Sequence, residues 1–142
     1  MKIAIGGDHA GFQYKERLVR HLEDQGHTIE DFGPSTDGSV DYPDHVHPLA
    51  SSIASEDCDL GILICGSGNG VAMTANKHEN VRAALCWNAE LASLARQHNN
   101  ANVICLAARF LAYEYAETLV DTFVETTFEG GRHERRVNKI NC

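Results

Sequence analysis

The sequence predicts an α/β fold with a five-stranded parallel sheet and helices on both faces of that sheet. Short apolar runs alternate about five times with amphipathic stretches along the 142 residues, an order that favours parallel strands joined by right-handed crossovers. No internal repeat, low-complexity tract or linker-like composition divides the chain. A chain of this length buries roughly 68% of its unfolded surface, which suffices for a core of its own. We therefore expect residues 1–142 to form a single domain.

The predicted strands are short apolar runs, most of them followed by turn-forming residues. They cover residues 2–6, 28–32, 60–65, 82–86 and 102–106. In the third strand nearly every side chain is apolar, which is typical of a strand that is buried on both faces. Cys65 is the last residue of this strand.

The predicted helices carry apolar side chains at helical spacing on one face and charged side chains on the other. They cover residues 11–25, 41–56, 70–77, 88–97 and 111–126. Asn88 is expected to be the N-cap of the fourth helix. The inward face of the fifth helix is predicted to carry Tyr115, Leu119, Phe123 and Val124.

Charge and composition exclude several classes of protein. The net charge of −8 argues against a general nucleic-acid-binding protein, whose affinity depends on a basic surface. No apolar run approaches the ~20 residues that a membrane-spanning helix needs, and no signal peptide is evident. The five cysteines include no Cys-x-x-Cys pair, which favours reduced thiols in a cytoplasmic protein. Cys86 and Cys105 are expected in strand interiors, and Cys58 and Cys142 at the surface.

The most informative segment is the glycine-rich turn formed by Cys65, Gly66, Ser67, Gly68, Asn69 and Gly70. A strand, such a turn and the start of a helix present backbone N–H groups that suit an anion. A cysteine beside these donors is expected to ionise more readily than a free thiol. Cys65 taken alone favours a structural core cysteine, and the adjoining donor-rich turn shifts the balance to an enzyme site.

Further candidate residues lie at the ends of other elements. Asp8 and His9 follow the first strand, and we expect them to meet Cys65 across one crevice, because ligands bind beyond the carboxyl ends of parallel strands. Two titratable groups there are candidates for acid–base chemistry, and capping of the first helix by Asp8 is the alternative. His98, with Asn99 beside it, follows the fourth helix, where a histidine also favours the helix dipole. The histidines elsewhere show no spacing typical of metal ligands.

The C-terminal segment, residues 130–142, is basic in an otherwise acidic chain. Arg132 and Arg136 are spaced to share one helix face and to bind a phosphate in forked geometry, and the alternative is a solvated basic tail. The crevice of Asp8 and Cys65 offers little basic charge of its own. We therefore expect this segment to leave its own globule, to pack on a partner subunit and to supply arginines to the site there.

Together these motifs closely resemble the sugar-phosphate isomerase family that contains ribose-5-phosphate isomerase type B and the galactose-6-phosphate isomerase subunits. The matching segments span the chain in order and cover residues 2–11, 41–43, 62–70, 75–77, 81–83, 96–99, 101–103 and 129–137. The resemblance implies a Rossmann-like domain that needs no metal and no organic cofactor. It also implies homodimers, often paired into tetramers as dimers of dimers, with active sites at the dimer interface.

The resemblance further implies roles for individual residues. Cys65 matches the base that moves a proton between C2 and C1 of the open sugar. Ser67 and the backbone of residues 66–70 match the anion hole that stabilises the enediolate. Asp8 and His98 match residues assigned to ring opening. The other matches are the phosphate contacts His9, Arg109, Arg132 and Arg136, together with Tyr42 and Asn99 near the sugar.

The resemblance favours the interconversion of ribose 5-phosphate and ribulose 5-phosphate by the cysteine-dependent branch of the family. Another branch has a glutamate as base at the position of Val71, and galactose-type subunits usually lack the basic motif of Arg132 and Arg136. One alternative is an isomerase of a six-carbon sugar phosphate, such as allose 6-phosphate. The other is a non-catalytic phosphate- or nucleotide-binding module, for which the glycine-rich turn would suffice but which leaves Cys65 and His98 unexplained.

Overall fold

A computed structural model of the chain describes residues 1–141. The strands are β1 Lys2–Gly7, β2 Thr28–Asp31, β3 Leu60–Cys65, β4 Ala83–Leu85 and β5 Val103–Ala107. The helices are α1 Phe12–Asp24, α2 Tyr42–Ala54, α3 Asn69–Ala75, α4 Ala89–Asn99, α5 Tyr113–Glu125 and α6 Arg132–Val137. All strand pairs are parallel, and the sheet order is β2-β1-β3-β5-β4. The predicted α/β fold is confirmed.

Two hydrophobic cores lie on opposite faces of the sheet. On one face α1, α4 and α5 cover the strands with buried side chains such as Leu18 and Phe123. On the other face α2 and α3 contribute Val46, Leu49 and Val71. Full burial of one such side chain stabilises the fold by about 1.5–3 kcal/mol, so the two layers hold the sheet between them. Within residues 1–141 no helix is long and apolar enough to cross a membrane.

Most predicted elements are confirmed, and β3 has the predicted bounds. Asn88 is the N-cap of α4, because its side chain accepts a hydrogen bond from the Leu91 N–H at 2.8 Å. The prediction for Tyr115 is wrong: this side chain is 39% exposed, and Tyr113 is buried instead. The Tyr115 hydroxyl lies at the start of α4, where it accepts from the Ala89 N–H.

Two further residues differ from their predicted environment. Cys58 is buried rather than exposed, because it packs in the core beneath α2 and contacts the Glu30 carboxylate at 3.4 Å. Lys15 is also buried, and its ammonium group pairs with the carboxylates of Glu16 and Asp31. The prediction for Cys142 lies outside the described residues.

Two glycines allow the turn after β1 to lie directly against β3. A side chain at Gly7 would place its Cβ 1.8 Å from the Ile64 carbonyl oxygen, and one at Gly11 would place it 2.5 Å from the same atom. Because neither glycine carries a side chain, the Asp8 N–H reaches the Ile64 carbonyl and donates a hydrogen bond of 3.1 Å. The close approach places Asp8 beside the end of β3.

We expect Gly11→Ala to destabilise the fold by at least about 1–3 kcal/mol, since the added methyl group would overlap backbone atoms that cannot move independently. Urea unfolding would measure the loss. Gly38→Ala is a matched control, because a Cβ there would lie 3.6 Å from the Thr36 hydroxyl at an exposed position, and its effect should stay within about 0.5 kcal/mol. Equal stability of Gly11→Ala and the wild type would contradict the close-approach argument.

Candidate active site

The turns that follow β1 and β3 meet at the carboxyl edge of the sheet, where the strand order predicts a crevice. These strands are neighbours, and the chain continues from β1 to β2 on one side and from β3 toward β5 on the other. Such a reversal of strand order opens a space beyond the strand ends in which ligands of open α/β sheets bind. The expectation that Asp8 and Cys65 meet at this edge agrees with the observed order.

Cys65 ends β3 with its side chain almost fully buried, and its sulfur faces a backbone donor. The Gly68 N–H donates to Cys65 Sγ at 3.1 Å, and the Asn69 N–H donates to the Ser67 hydroxyl at 3.3 Å. An N–H directed at a sulfur stabilises negative charge on it. The turn requires glycine at position 68, where φ is +74° and a Cβ would lie 2.4 Å from Leu85 Cδ1. The glycine-rich turn thus brings its donors to the thiol.

Asp8 and His9 are both held by backbone groups. Asp8 Oδ1 accepts from the Ala10 N–H at 2.9 Å and from the Gly11 N–H at 3.3 Å, which both precede α1. The N-cap of α1 is Gly11 and this helix has no side-chain cap, so Asp8 does not cap it as the alternative interpretation expected. His9 Nδ1 accepts from the Val40 N–H at 3.4 Å. These bonds hold both side chains in the turn after β1, at the carboxyl edge of the sheet.

Tyr42 and Arg109 lie against the glycine-rich turn. A Cβ at Gly70 would lie 2.5 Å from the Tyr42 ring, and one at Gly66 would lie 3.3 Å from the Arg109 guanidinium. The turn after β5 is fixed to the end of β3, because the Arg109 N–H donates to the Gly66 carbonyl at 3.1 Å. Arg109 therefore brings a positive charge to this edge. The expectation that the crevice has little basic charge of its own is wrong in this respect.

The structure brings ten of the predicted site residues together, and we call this group the Cys65 crevice. It consists of Asp8, His9, Tyr42, Cys65, Gly66, Ser67, Gly68, Asn69, Gly70 and Arg109.

The other four predicted residues, His98, Asn99, Arg132 and Arg136, lie elsewhere in the same chain, and we call them the His98 cluster. Helix α4 runs back from the carboxyl edge, so His98 and Asn99 lie just before β5 begins, at the amino edge of the sheet. Helix α6 packs against α4. The two edges are separated by roughly 15 Å, the length of a five-residue strand. One protomer therefore does not join Cys65 to His98.

Contacts within the chain fix the C-terminal segment to α4. The Glu129 N–H donates to the Gln97 carbonyl at 3.1 Å, and the His133 ring stacks on the His98 ring with centroids 4.1 Å apart. This segment therefore packs on α4 of its own chain through α6, and its packing on a partner subunit stays a prediction. Exposed Arg132 and Arg136 remain free to face outward.

Glu129 and His133 are not among the predicted site residues, and the Glu129 carboxylate lies 3.7 Å from His133 Nε2. With His98 Nε2, 3.9 Å from the same carboxylate oxygen, they form a group of residue types that bind metal ions. The signal was weak, because 35 positions separate the two histidines in the sequence.

Cys86 and Cys105 have the environments of core residues. Burial raises the pKa of Cys86 to about 11 and the pKa of Cys105 well above its ordinary range. Both thiols stay protonated at neutral pH, in agreement with the structural role that the sequence predicts for them.

Comparison with known proteins identifies the family. Residues 3–140 match the family model described as Ribose/Galactose Isomerase. This chain belongs to the ribose/galactose isomerase family. A probable ribose-5-phosphate isomerase B of Mycoplasma pneumoniae is 46% identical over 139 residues, which cover 97% of this chain and 91% of the relative. The resemblance seen in the sequence motifs is thereby confirmed.

Solved structures of ribose-5-phosphate isomerase B share both fold and sequence with this family member. The structure from Thermotoga maritima is 48% identical with a TM-score of 0.96 and covers 99% of this chain and 97% of its own. The Mycoplasma genitalium structure, solved with ribulose 5-phosphate bound, is 45% identical with a TM-score of 0.94 and covers 98% of this chain and 93% of its own. The Rossmann-like fold of this isomerase is confirmed by both.

Proposed function

We propose that this chain interconverts ribose 5-phosphate and ribulose 5-phosphate through an enediolate, with Cys65 as the base. The observation that carries the proposal is the buried Cys65 thiol, which accepts a hydrogen bond of 3.1 Å from the Gly68 N–H of the glycine-rich turn. The names of the nearly full-length relatives and the ligand in the Mycoplasma genitalium structure support ribose 5-phosphate as the substrate.

In the proposed reaction a proton moves between two carbon atoms of the open sugar. The Cys65 thiolate removes the proton from C2 of the aldose, and the electron pair forms the enediolate as charge develops on the oxygen at C1. The thiol then returns the proton to C1 while the hydroxyl proton at C2 passes to the oxygen at C1, and the C2 oxygen becomes the carbonyl of the ketose. The Ser67 hydroxyl and the N–H groups of residues 66–70 stabilise the enediolate, a contribution worth roughly 10²- to 10³-fold per donor in other enzymes.

The remaining residues act on the ring and on the phosphate. Asp8 and His98 open the cyclic sugar by transferring protons to and from its ring oxygen and hydroxyl, and Asn99 and Tyr42 position the chain. The phosphate is bound by His9, Arg109, Arg132 and Arg136. Arginine suits this task because its planar guanidinium forms two parallel hydrogen bonds to phosphate oxygens.

We further propose that the active site is composite, with the Cys65 crevice of one protomer completed by the His98 cluster of its partner. The placement of the two groups at opposite edges of one sheet supports this arrangement, since one protomer cannot close the gap of roughly 15 Å. A two-fold dimer would form two such sites. The assembly is then a homodimer or a dimer of dimers.

The open edge of the sheet is a suitable surface for the second copy. Strand β4 is the last strand of the sheet and is only partly buried. Trp87 and Met73 beside it are 59% and 66% exposed, and a groove there is lined by Leu85, Leu91 and Leu94. Such an apolar edge is typical of an interaction surface.

An assay of ribose 5-phosphate and allose 6-phosphate side by side tests the proposed substrate. We expect a clearly higher kcat/KM for ribose 5-phosphate. A preference for the six-carbon sugar would replace the proposed substrate while keeping the reaction. No turnover of either sugar phosphate would favour a binding module.

We expect His98→Ala to lose activity on the cyclic sugar and to keep activity on the open-chain fraction, because His98 is proposed to act only in ring opening. General acid–base catalysis contributes roughly 10²- to 10⁴-fold, which bounds the expected loss. Rapid mixing would detect a small burst, equal to the open-chain fraction, before slow turnover. His27→Ala, which removes a histidine between α1 and β2, is the control and should behave as wild type. An unchanged steady rate in His98→Ala would show that His98 does not open the sugar ring and serves only at the C-terminal end of α4.

A further inference from the structure

His98 of α4 and His133 of α6 are in direct ring contact. The two rings are parallel within 9° and their centroids lie 4.1 Å apart. His133 is 8% exposed, whereas its neighbours Arg132 and Arg136 on the same helix are exposed. His133 is thus the buried side chain of a helix that presents its arginines to solvent.

We propose that His133 is a positioning residue whose ring face holds the His98 ring in place. The same contact fixes the position of α6 against α4, and with it the positions of Arg132 and Arg136. This inference rests on the proposed function, in which His98 opens the sugar ring and the arginines bind the phosphate. In a sugar phosphate these two ends of the molecule are a fixed distance apart. One side chain would therefore align the ring-opening group with the phosphate site.

The charges around the pair favour a role for the ring face over one for the ring nitrogen. Burial and the nearby His98 and Arg132 lower the pKa of His133, so its ring stays neutral at neutral pH. His133 Nε2 faces Arg132 Nε at 3.5 Å and the Glu129 carboxylate at 3.7 Å, and Arg136 adds a positive charge nearby. A neutral ring among these groups presents a flat, uncharged face to His98.

The stacked geometry does not favour a metal ion bound by His98, Glu129 and His133. The lone pair of an imidazole nitrogen lies in the plane of its ring, so parallel stacked rings direct their lone pairs side by side. A metal ion between them would lie outside both planes. The Arg132 guanidinium beside His133 Nε2 would also repel a cation. The observed stack therefore fits a packing role better than ligation.

Three substitutions separate the ring face from the other properties of His133. His133→Phe keeps a flat ring without a nitrogen, His133→Leu fills the space without a flat face, and His133→Ala removes the side chain. We expect His133→Ala to lower kcat/KM roughly 10- to 100-fold, since small misplacements of catalytic groups have effects of this size. Both kcat and KM should change, because the ring-opening and phosphate groups move together. His133→Phe should keep most of the activity and the pH profile of the wild type, and His133→Leu should lie between the two.

A second readout is independent of activity. In the stack, the ring current of His133 shifts the NMR signals of the His98 ring protons upfield. The chain has eight histidines, and the His98 signals are the ones that disappear from the spectrum of His98→Asn. The upfield shift should persist in His133→Phe and be lost in His133→Leu and His133→Ala.

The two readouts distinguish failure of this inference from failure of the proposed function. A wild-type protein without isomerase activity overturns the function, and thereby the catalytic role of the stack, even if the upfield shift is seen. In an active enzyme, wild-type kinetics for His133→Ala overturn the inference. It is also overturned if His133→Phe is as impaired as His133→Ala, or if the wild-type His98 signals show no shift. Should His133→Ala fail to fold, His133→Leu takes its place in each comparison.

Discussion

Cys65→Ala should abolish proton exchange at C2 of the substrate while leaving substrate affinity within a few-fold of wild type. The thiol is the proposed base, and general-base catalysis contributes roughly 10²- to 10⁴-fold to the rate. The proposed phosphate contacts, Arg109 of the same crevice and Arg132 and Arg136 of the partner, are untouched by the change. Removal of the sulfur also leaves the Gly68 N–H without its acceptor, which adds to the loss. Incorporation of deuterium from solvent at C2, followed by NMR, measures the chemical step directly.

Cys58→Ala is a matched control for the loss of a thiol. Cys58 is also buried, but it lies just before β3 begins, at the edge of the sheet opposite the crevice. This variant should exchange the C2 proton at the wild-type rate once it is folded. Deuterium incorporation by Cys65→Ala at the wild-type rate would show that another group is the base.

Hybrid dimers should recover activity that neither parent variant has. A Cys65→Ala protomer keeps its His98 cluster, and an Arg136→Ala protomer keeps its Cys65 crevice. In a composite arrangement their hybrid contains one site with both defects and one intact site. Random exchange of equal amounts should then restore about a quarter of the wild-type activity, since half of the dimers are hybrids with one working site each. Co-expression with two different affinity tags allows the hybrid to be isolated and assayed.

The control mixture pairs Cys65→Ala with Ser67→Ala. Both changes lie in the Cys65 crevice, so each crevice of this hybrid stays defective and no activity should return. Dead Cys65→Ala and Arg136→Ala hybrids would refute the shared site, as would a verified monomer with full activity. Equal recovery of activity in both mixtures would mean that the exchange of protomers restores activity by a route other than an intact shared site.

The sequence predicted the sheet and the glycine-rich turn well because both depend on local patterns. The apolar run of β3, followed at once by glycines, indicated a buried strand and a donor-rich turn. The structure contains both. Tyr115 was misplaced because an aromatic ring counts as apolar in a helical pattern, although its hydroxyl is satisfied at the start of α4. Cys58 was misplaced because its neighbours Asp57 and Asp59 are polar, whereas packing beneath α2 buries it.

Features that depend on distant contacts were not predictable. Helix α6 is short and polar, and its place in the fold depends on the contact of His133 with a ring 35 positions earlier. The separation of Cys65 from His98, in contrast, does not depend on a distant side-chain contact, because it follows from the topology of the fold. A helix that connects parallel strands ends at the amino edge of the sheet, so a residue in its last turn lies far from residues that follow a strand.

The placement of Cys65 and His98 at opposite edges has a consequence for how turnover scales with the supply of protein. When each site needs two protomers, the number of working sites at concentrations below the dimer dissociation constant grows with the square of the protein concentration. Halving the supply in that range would remove about three quarters of the flux. Sugar-phosphate flux would then respond more steeply to a change in the amount of this protein than to the same change in an enzyme whose monomer contains a complete site.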